Sequence, residues 1–312
     1  MKSRPFRFGM NIGATETRAE LIDMVQRAEA DGYGVVIAPD HISTRLGVLP
    51  LLMAAADLAP TIRVSPMVIA NDYRNPAVLA RECATIDVLS GGRFELGLGT
   101  GWIADQYRAA GIAYDSPGVR VDRLEEAIEV LKGCWSGEPF TFAGSHYQTI
   151  GVTCPKPAQS PRPPLLIAGA GPRILGIAGR EADIVNLSPV PVGSSGFEAV
   201  AHGPAATGDL LETQLGWIHS AAGERVGEIE LSVSIQHLIV TDDTAVVIDE
   251  MTHETGASAA QIRRSPHVLI GSTDEVIATL QRRREEYGIS YVLFGHRHLD
   301  AAGPIVSALA GT

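Results

Sequence analysis

Four short stretches hold the residue types that could do chemistry. Asp40-His41 follows the apolar run 35–39. A histidine beside a carboxylate just past a buried strand can exchange a proton near neutral pH, with its charge tuned by its neighbours. The same dipeptide also reads as a capping aspartate and a surface histidine. Gly97, Gly99 and Gly101 recur at every second position of 95–102. In extended chain alternate residues share a face, so these glycines strip side chains from one side of the backbone and let a flat ligand approach it. A barrel strand narrowed to fit its taper is the plainer reading. The spacing is G-x-G-x-G, not G-x-G-x-x-G, and no acidic residue stands where a ribose contact would be expected, so it is not the NAD fingerprint.

Gly169-Ala170-Gly171 precedes Pro172-Arg173. Glycines leave backbone N–H groups accessible, and a proline at the first position of a helix marks an N-terminus that favours an anion such as a phosphate. A tight strand-to-helix loop with no ligand is the alternative. His296 and His298 are spaced i, i+2, share a face in extended chain and resemble half of a metal site. No third ligand accompanies them in a recognisable motif, so no metal is expected and they read as pocket-lining or surface histidines.

The elements that must position these residues alternate. Strands are expected over 6–12, 33–39, 62–70, 93–99, 165–168, 184–187, 230–240 and 290–294, with helices between them. Thr17-x-x-Glu20 opens the first helix and Gly32 stops it; Ser272-x-x-Glu275 opens the last long one, near 273–287. Leu124, Ala127, Ile128, Leu131 and Trp135 follow helical spacing over 123–135. Eight such units make a (β/α)8 TIM barrel the simplest α/β architecture, with a doubly wound open sheet as its competitor. The chain is read as one domain, 1–312, with a hairpin inserted near 139–150 and a substrate-region insertion near 189–228, where no clean unit pattern appears.

Composition narrows the partners. The 312 residues carry 25 Lys and Arg against 36 Asp and Glu, a net charge of −11, so nucleic acid is not an expected partner. Residues 1–12 lack an apolar signal region, and the apolar stretch from Leu49 is broken by Asp57 and Pro60, so no membrane segment is expected and the location reads as cytoplasmic. Cys83, Cys134 and Cys154 are odd in number and form no C-x-x-C, which suggests ordinary thiols. The run 282–286 reads as a solvated face.

Taken together, Asp40-His41, Tyr73-Arg74-Asn75-Pro76, the stretch 84–93, Gly97–Trp102 and Ala168–Pro172 resemble the luciferase-like monooxygenase superfamily. Within it the chain most resembles the actinobacterial branch that uses the deazaflavin coenzyme F420. The similarity is strong over 6–188, fades through the insertion and returns over 271–294. The resemblance implies a TIM barrel, usually a homodimer, with the cofactor ring in the barrel mouth. It places a non-proline cis peptide at Pro66–Met67, and cofactor contacts on Asp40, Pro66, Met67, Thr100, Gly101, Gly169, Ala170 and Gly171. His41 matches the residue acting on the substrate proton.

The chain departs from the sugar-phosphate dehydrogenases of that branch at two places. Trp102 stands where they have a glutamate, and 188–196 holds no counterpart of their phosphate-binding lysine. With Trp102 and Tyr73 at the mouth, an apolar or aromatic small organic substrate is expected. The implied activity is hydride transfer with F420, with His41 moving the proton. An FMN-dependent two-component monooxygenase, served by a separate reductase, and a non-catalytic flavin-binding barrel are the alternatives.

Overall fold

In the computed structural model residues 4–43, 46–188 and 208–312 are described, the side chains of 208 and 209 excepted. Eight strand positions close into a parallel barrel. Arg7–Asn11, Val35–Ala38 and Arg63–Pro66 supply the first three, and Leu96–Gly99, Leu165–Gly169, Ile184–Leu187, Glu230–Ile235 and Ile289–Phe294 the rest. Strand one pairs with strands two and eight, and the order runs on through seven, six, five and four. The third strand closes the ring in two pieces. Its first piece pairs with strand two, Ala38 opposite Pro66, and after a break it resumes as Ile69–Ala70 against Leu98 and Gly99.

Alternation along each strand divides side chains between two cores. Phe8, Met10, Val36, Val64, Leu96, Ile167 and Val292 pack outward beneath the helices, whereas Val35, Ile37, Leu166, Ile184, Tyr291 and Leu293 fill the barrel's interior. The N-terminal end of the interior is charged. Arg7 reaches Glu95 at 2.7 Å and Glu230 at 2.9 Å, and Arg63 reaches Glu95 at 2.6 Å. Arg7 also lies 4.3 Å from the centre of the Tyr291 ring. Buried charges persist only when paired, and this layer floors the barrel.

The helices begin and end where local chemistry dictates. Thr17 accepts from the Glu20 N–H, and Gly32, at φ 91°, closes Arg18–Asp31. The Glu20 carboxylate takes the N–H of Glu16 rather than that of Thr17, so only half of the expected capping box forms. Ser272 and Glu275 make the complete box ahead of Thr273–Tyr287. The periodic segment at 123–135 is the second half of a longer helix, Pro117–Cys134, with Pro117 in its first turn.

Two expectations need correction. The run 230–240 is not one strand. After Glu230–Ile235 the chain leaves the barrel, and His237–Val240 pairs in parallel with Val268–Gly271 in a separate small sheet. The apolar alternation continues across Gln236, which hides the exit. Within the expected insertion 189–228, Gly208–Ala222 is a regular crossover helix lying against Pro172–Glu181; residues 189–207 lie outside the described residues. Phe140–Ala143 and Gln148–Val152 pair antiparallel, and Glu126 accepts from the N–H groups of Ser145, His146 and Tyr147 at their turn.

Candidate active site

The C-terminal ends of strands two to five bring the sequence-selected residues to one mouth. At the end of strand two the Asp40 carboxylate is fully engaged. It accepts from both Arg74 guanidinium nitrogens, at 2.5 and 2.9 Å, and from the Ala70 N–H at 3.1 Å. Asp40 therefore ties strand two to the resumed third strand. Its side chain, expected to contact the cofactor, is 7% exposed and braces the two strands.

His41 is oriented by other groups. Its ring lies edge-on to Trp102, with centroids 6.4 Å apart and an interplanar angle of 77°. The Gln106 side chain hydrogen-bonds His41, accepts from the Ile42 N–H at 2.9 Å and donates to Ser43 Oγ at 3.2 Å. Burial holds the His41 pKa below the ordinary histidine value, opposed by the Gln106 bond and the Asp40 charge. Burial thus favours the neutral form of the ring, the form that can accept a proton. Gln106, on the short helix Ala104–Ala109, carried no signal in the sequence.

The break in strand three holds a cis peptide, and it lies at Met67–Val68, one residue beyond the expected Pro66–Met67. The register explains the offset. Pro66 still pairs with Ala38 and is buried, and the Met67 N–H donates to the Ala38 carbonyl at 2.8 Å. Met67 and Val68 are half-buried and pack on the interior cluster. They, rather than Pro66, form the surface at the mouth.

The glycines of strand four have a different purpose from the one expected. A Cβ on Gly97 would lie 2.1 Å from the Pro66 carbonyl oxygen, and one on Gly99 would lie 2.7 Å from Val68 Cγ2. They clear space for the broken third strand, and not directly for a ligand. Gly101 sits at φ 71°, and a Cβ there would lie 1.9 Å from the Tyr107 hydroxyl. Tyr107 donates to the Thr100 carbonyl at 3.1 Å, and Arg120 holds the Gly101 carbonyl. Tyr73, expected in the substrate pocket, lies tilted at 59° against Tyr107 with centroids 5.0 Å apart, and Tyr107 meets Tyr114 at 4.9 Å. Its ring supports the Thr100–Gly101 turn.

After strand five, Gly171 caps Pro172–Glu181 without any side-chain hydrogen bond, so the helix's first N–H groups are not satisfied by a cap. A Cβ on Gly169 would lie 2.5 Å from Ile174, which requires glycine there. Gln214, fully buried on the crossover helix, donates to the carbonyls of Ala170 and Ser188, both at 3.3 Å, and its Oε1 has no partner. His298 is 6% exposed and His296 lies on the surface; among the described residues no three His, Cys, Asp or Glu side chains converge as a metal site would require. No described helix is long and apolar enough to cross a membrane.

The chain is similar to several known proteins. The chain is 33% identical over 175 residues to an F420-dependent glucose-6-phosphate dehydrogenase of Intrasporangium calvum, covering 53% of this chain and 52% of that protein. It is 36% identical over 110 residues to an FMNH2-dependent dimethylsulfone monooxygenase of Pseudomonas putida, covering 35% and 30%. The chain thus spans about half the length of the first relative it matches. Among solved structures, an F420-dependent secondary alcohol dehydrogenase bound to an F420-acetone adduct superimposes with TM-score 0.75 at 19% identity, over 98% of this chain and 99% of that one. The coenzyme F420-dependent tetrahydromethanopterin reductase of Methanopyrus kandleri gives 0.76 at 18%, over 98% of each chain. These likenesses establish a shared barrel fold. The luciferase-like monooxygenase family model matches residues 3–288, and the chain belongs to that family.

Proposed function

We propose that this chain is an F420-dependent oxidoreductase acting on a small organic substrate. The observation that carries the reading is the placing of His41, edge-on to Trp102, on the same barrel mouth as the uncapped turn Gly169–Gly171. The F420-dependent relatives support the choice of cofactor. The residues present fit such a group: a helix N-terminus without a side-chain cap beside the partnerless Gln214 Oε1 suits a phosphate tail and its hydroxyl donors. When bound, the deazaflavin supplies hydride transfer.

The protein's own groups do the rest. Gly169, Ala170 and Gly171 would hold the phosphate, and Met67, Thr100 and Gly101 would flank the ring, with Val68 beside them. Asp40, tied to Arg74, and Pro66, beneath Met67, would shape the mouth around it. His41 takes the proton from a substrate hydroxyl on oxidation and returns it on reduction. Trp102 orients His41 and offers an apolar wall, which suits an apolar or aromatic substrate better than a sugar phosphate. A homodimer in the cytoplasm is part of this proposal.

Anaerobic titration of the protein with F420 and with FMN tests it. Saturable F420 binding is expected, and tight FMN binding without F420 binding would overturn it. The second reading, a two-component FMN monooxygenase fed by a reductase, is favoured by the identity to the dimethylsulfone enzyme. A non-catalytic barrel is refuted if His41→Ala abolishes turnover and keeps cofactor affinity.

A further inference from the structure

One member of the charged run 282–286 turns inward. Arg283, on Thr273–Tyr287, is only 6% exposed, whereas Arg282 beside it is exposed. The Arg283 guanidinium donates through Nη1 to the Pro266 carbonyl at 3.2 Å, and through Nη2 to those of Ser265 and Val268 at 2.7 and 2.9 Å. Those bonds satisfy three of its five N–H groups. Nε keeps accessible surface and has no acceptor among the described residues. Burial first, then Arg282, hold the Arg283 pKa down to about 10, against a smaller raise from Tyr287, so the group stays charged at pH 7. No carboxylate enters that balance. Carbonyl dipoles complete hydrogen bonds but leave the charge in place, and a buried charge without a counter-ion is costly.

Arg283 lines a cavity of about 330 Å³, at the lower end of the range for small-molecule sites. The cavity lies where the helices Thr244–Thr255, Ala259–Arg264 and Thr273–Tyr287 meet the strand Val268–Gly271 of the small outer sheet. Arg263 and Arg282 line it with Arg283, and Ile248, Ile262 and Val268 supply apolar walls. Those three belong to a hydrophobic cluster apart from both barrel cores. Glu275 is the one carboxylate among the described lining residues, and its Oε2 already accepts from the Ser272 N–H at 2.8 Å. Three guanidinium groups against one engaged carboxylate make this cavity attract anions.

We infer that this cavity is a binding site for a small organic anion, its carboxylate or phosphate head on Arg283, Arg282 and Arg263 and its apolar body against Ile248, Ile262 and Val268. Both head groups offer what the guanidinium donors need, a compact oxyanion with several lone pairs. A bare inorganic ion would leave the apolar walls uncovered, and a neutral apolar molecule would leave the Arg283 charge without a counter-ion. None of these residues is among those at the barrel mouth, so the site stands apart from the hydride-transfer reading.

Calorimetric titration of the full chain with octanoate and with octyl phosphate, against octan-1-ol and inorganic phosphate, tests the site. Saturable binding of octanoate or octyl phosphate is expected, and the tighter of the two identifies the head group. Arg282→Gln and Arg263→Gln, both at exposed positions, are expected to weaken it about tenfold each. Arg283→Met is expected to abolish it, and the two surface variants keep the test decisive if that chain does not fold. Saturable binding of neither anion overturns the site. So does octan-1-ol binding as tightly as the anions, inorganic phosphate binding as tightly as octyl phosphate, or an affinity unchanged in both surface variants. Displacement of the bound anion by F420 overturns it as well, because the anion would then sit in the barrel mouth.

Discussion

A Cβ on Gly97 would stand 2.1 Å from the carbonyl oxygen of Pro66. The close approach of strand four to the broken strand three is therefore bought with a missing side chain. Gly97→Ala forces one backbone away from the other, and the expected loss is about 3 kcal/mol, at the upper end of overpacking costs. Urea unfolding reads it as a lower midpoint with an unchanged slope. Gly216→Ala is the control: Gly216 is exposed, helical and open around its Cα, and the change is expected to stabilise by about 1 kcal/mol.

The Arg74–Asp40 pair yields a second expectation. Arg74→Met leaves the Asp40 carboxylate buried with only the Ala70 N–H, and the expected loss is about 3 kcal/mol. Asp40→Asn with Arg74 retained costs less, because Arg74 is partly solvated. Equal losses in the two variants would show that the brace is not electrostatic.

For His41, removing the proton acceptor by His41→Gln is expected to lower turnover by about 10² to 10⁴, with cofactor affinity held. The rate of substrate oxidation should rise through a pKa below the ordinary histidine value and stay level above it. Gln106 raises that pKa, so Gln106→Ala should move the acid limb to lower pH. A limb that does not move would remove Gln106 from the proton path.

His267 gives the stability profile. It is fully buried, its Nδ1 lies 2.9 Å from the Ser234 carbonyl, and its Nε2 has no partner. Burial lowers its pKa to about 4, outweighing the Ser234 bond, with a smaller lowering from Arg283. Below about pH 6.5 the unfolded chain binds a proton that the folded chain refuses. The His267 contribution is thus complete above pH 6.5 and is lost as pH falls toward 4, by roughly 3 kcal/mol in all. His267→Asn should flatten that part of the acid slope in pH-dependent urea unfolding; an unchanged slope would assign it to other groups.

Much of the fold was legible because barrel units rest on local chemistry. The capping residues Thr17 and Ser272, the stop at Gly32 and the apolar spacing of Leu124 to Leu131 act within a few residues of chain. The exit of the chain at Gln236 was not legible, because His237–Val240 continues the apolar alternation and only its new partner, Val268–Gly271, distinguishes it.

The candidate site divides in the same way. The sequence by itself determined that an Asp-His pair, alternating glycines and a Gly-Pro helix start follow strands two, four and five, since residue type and spacing carry that information. Tertiary structure alone decided what each side chain does there. It turned Asp40 onto Arg74, gave His41 to Gln106 and Trp102, set Gly97 against Pro66, and left Gln214 Oε1 without a partner. Such pairings depend on which strand ends meet around the ring, with partners tens of residues away in the chain. No local spacing encodes them.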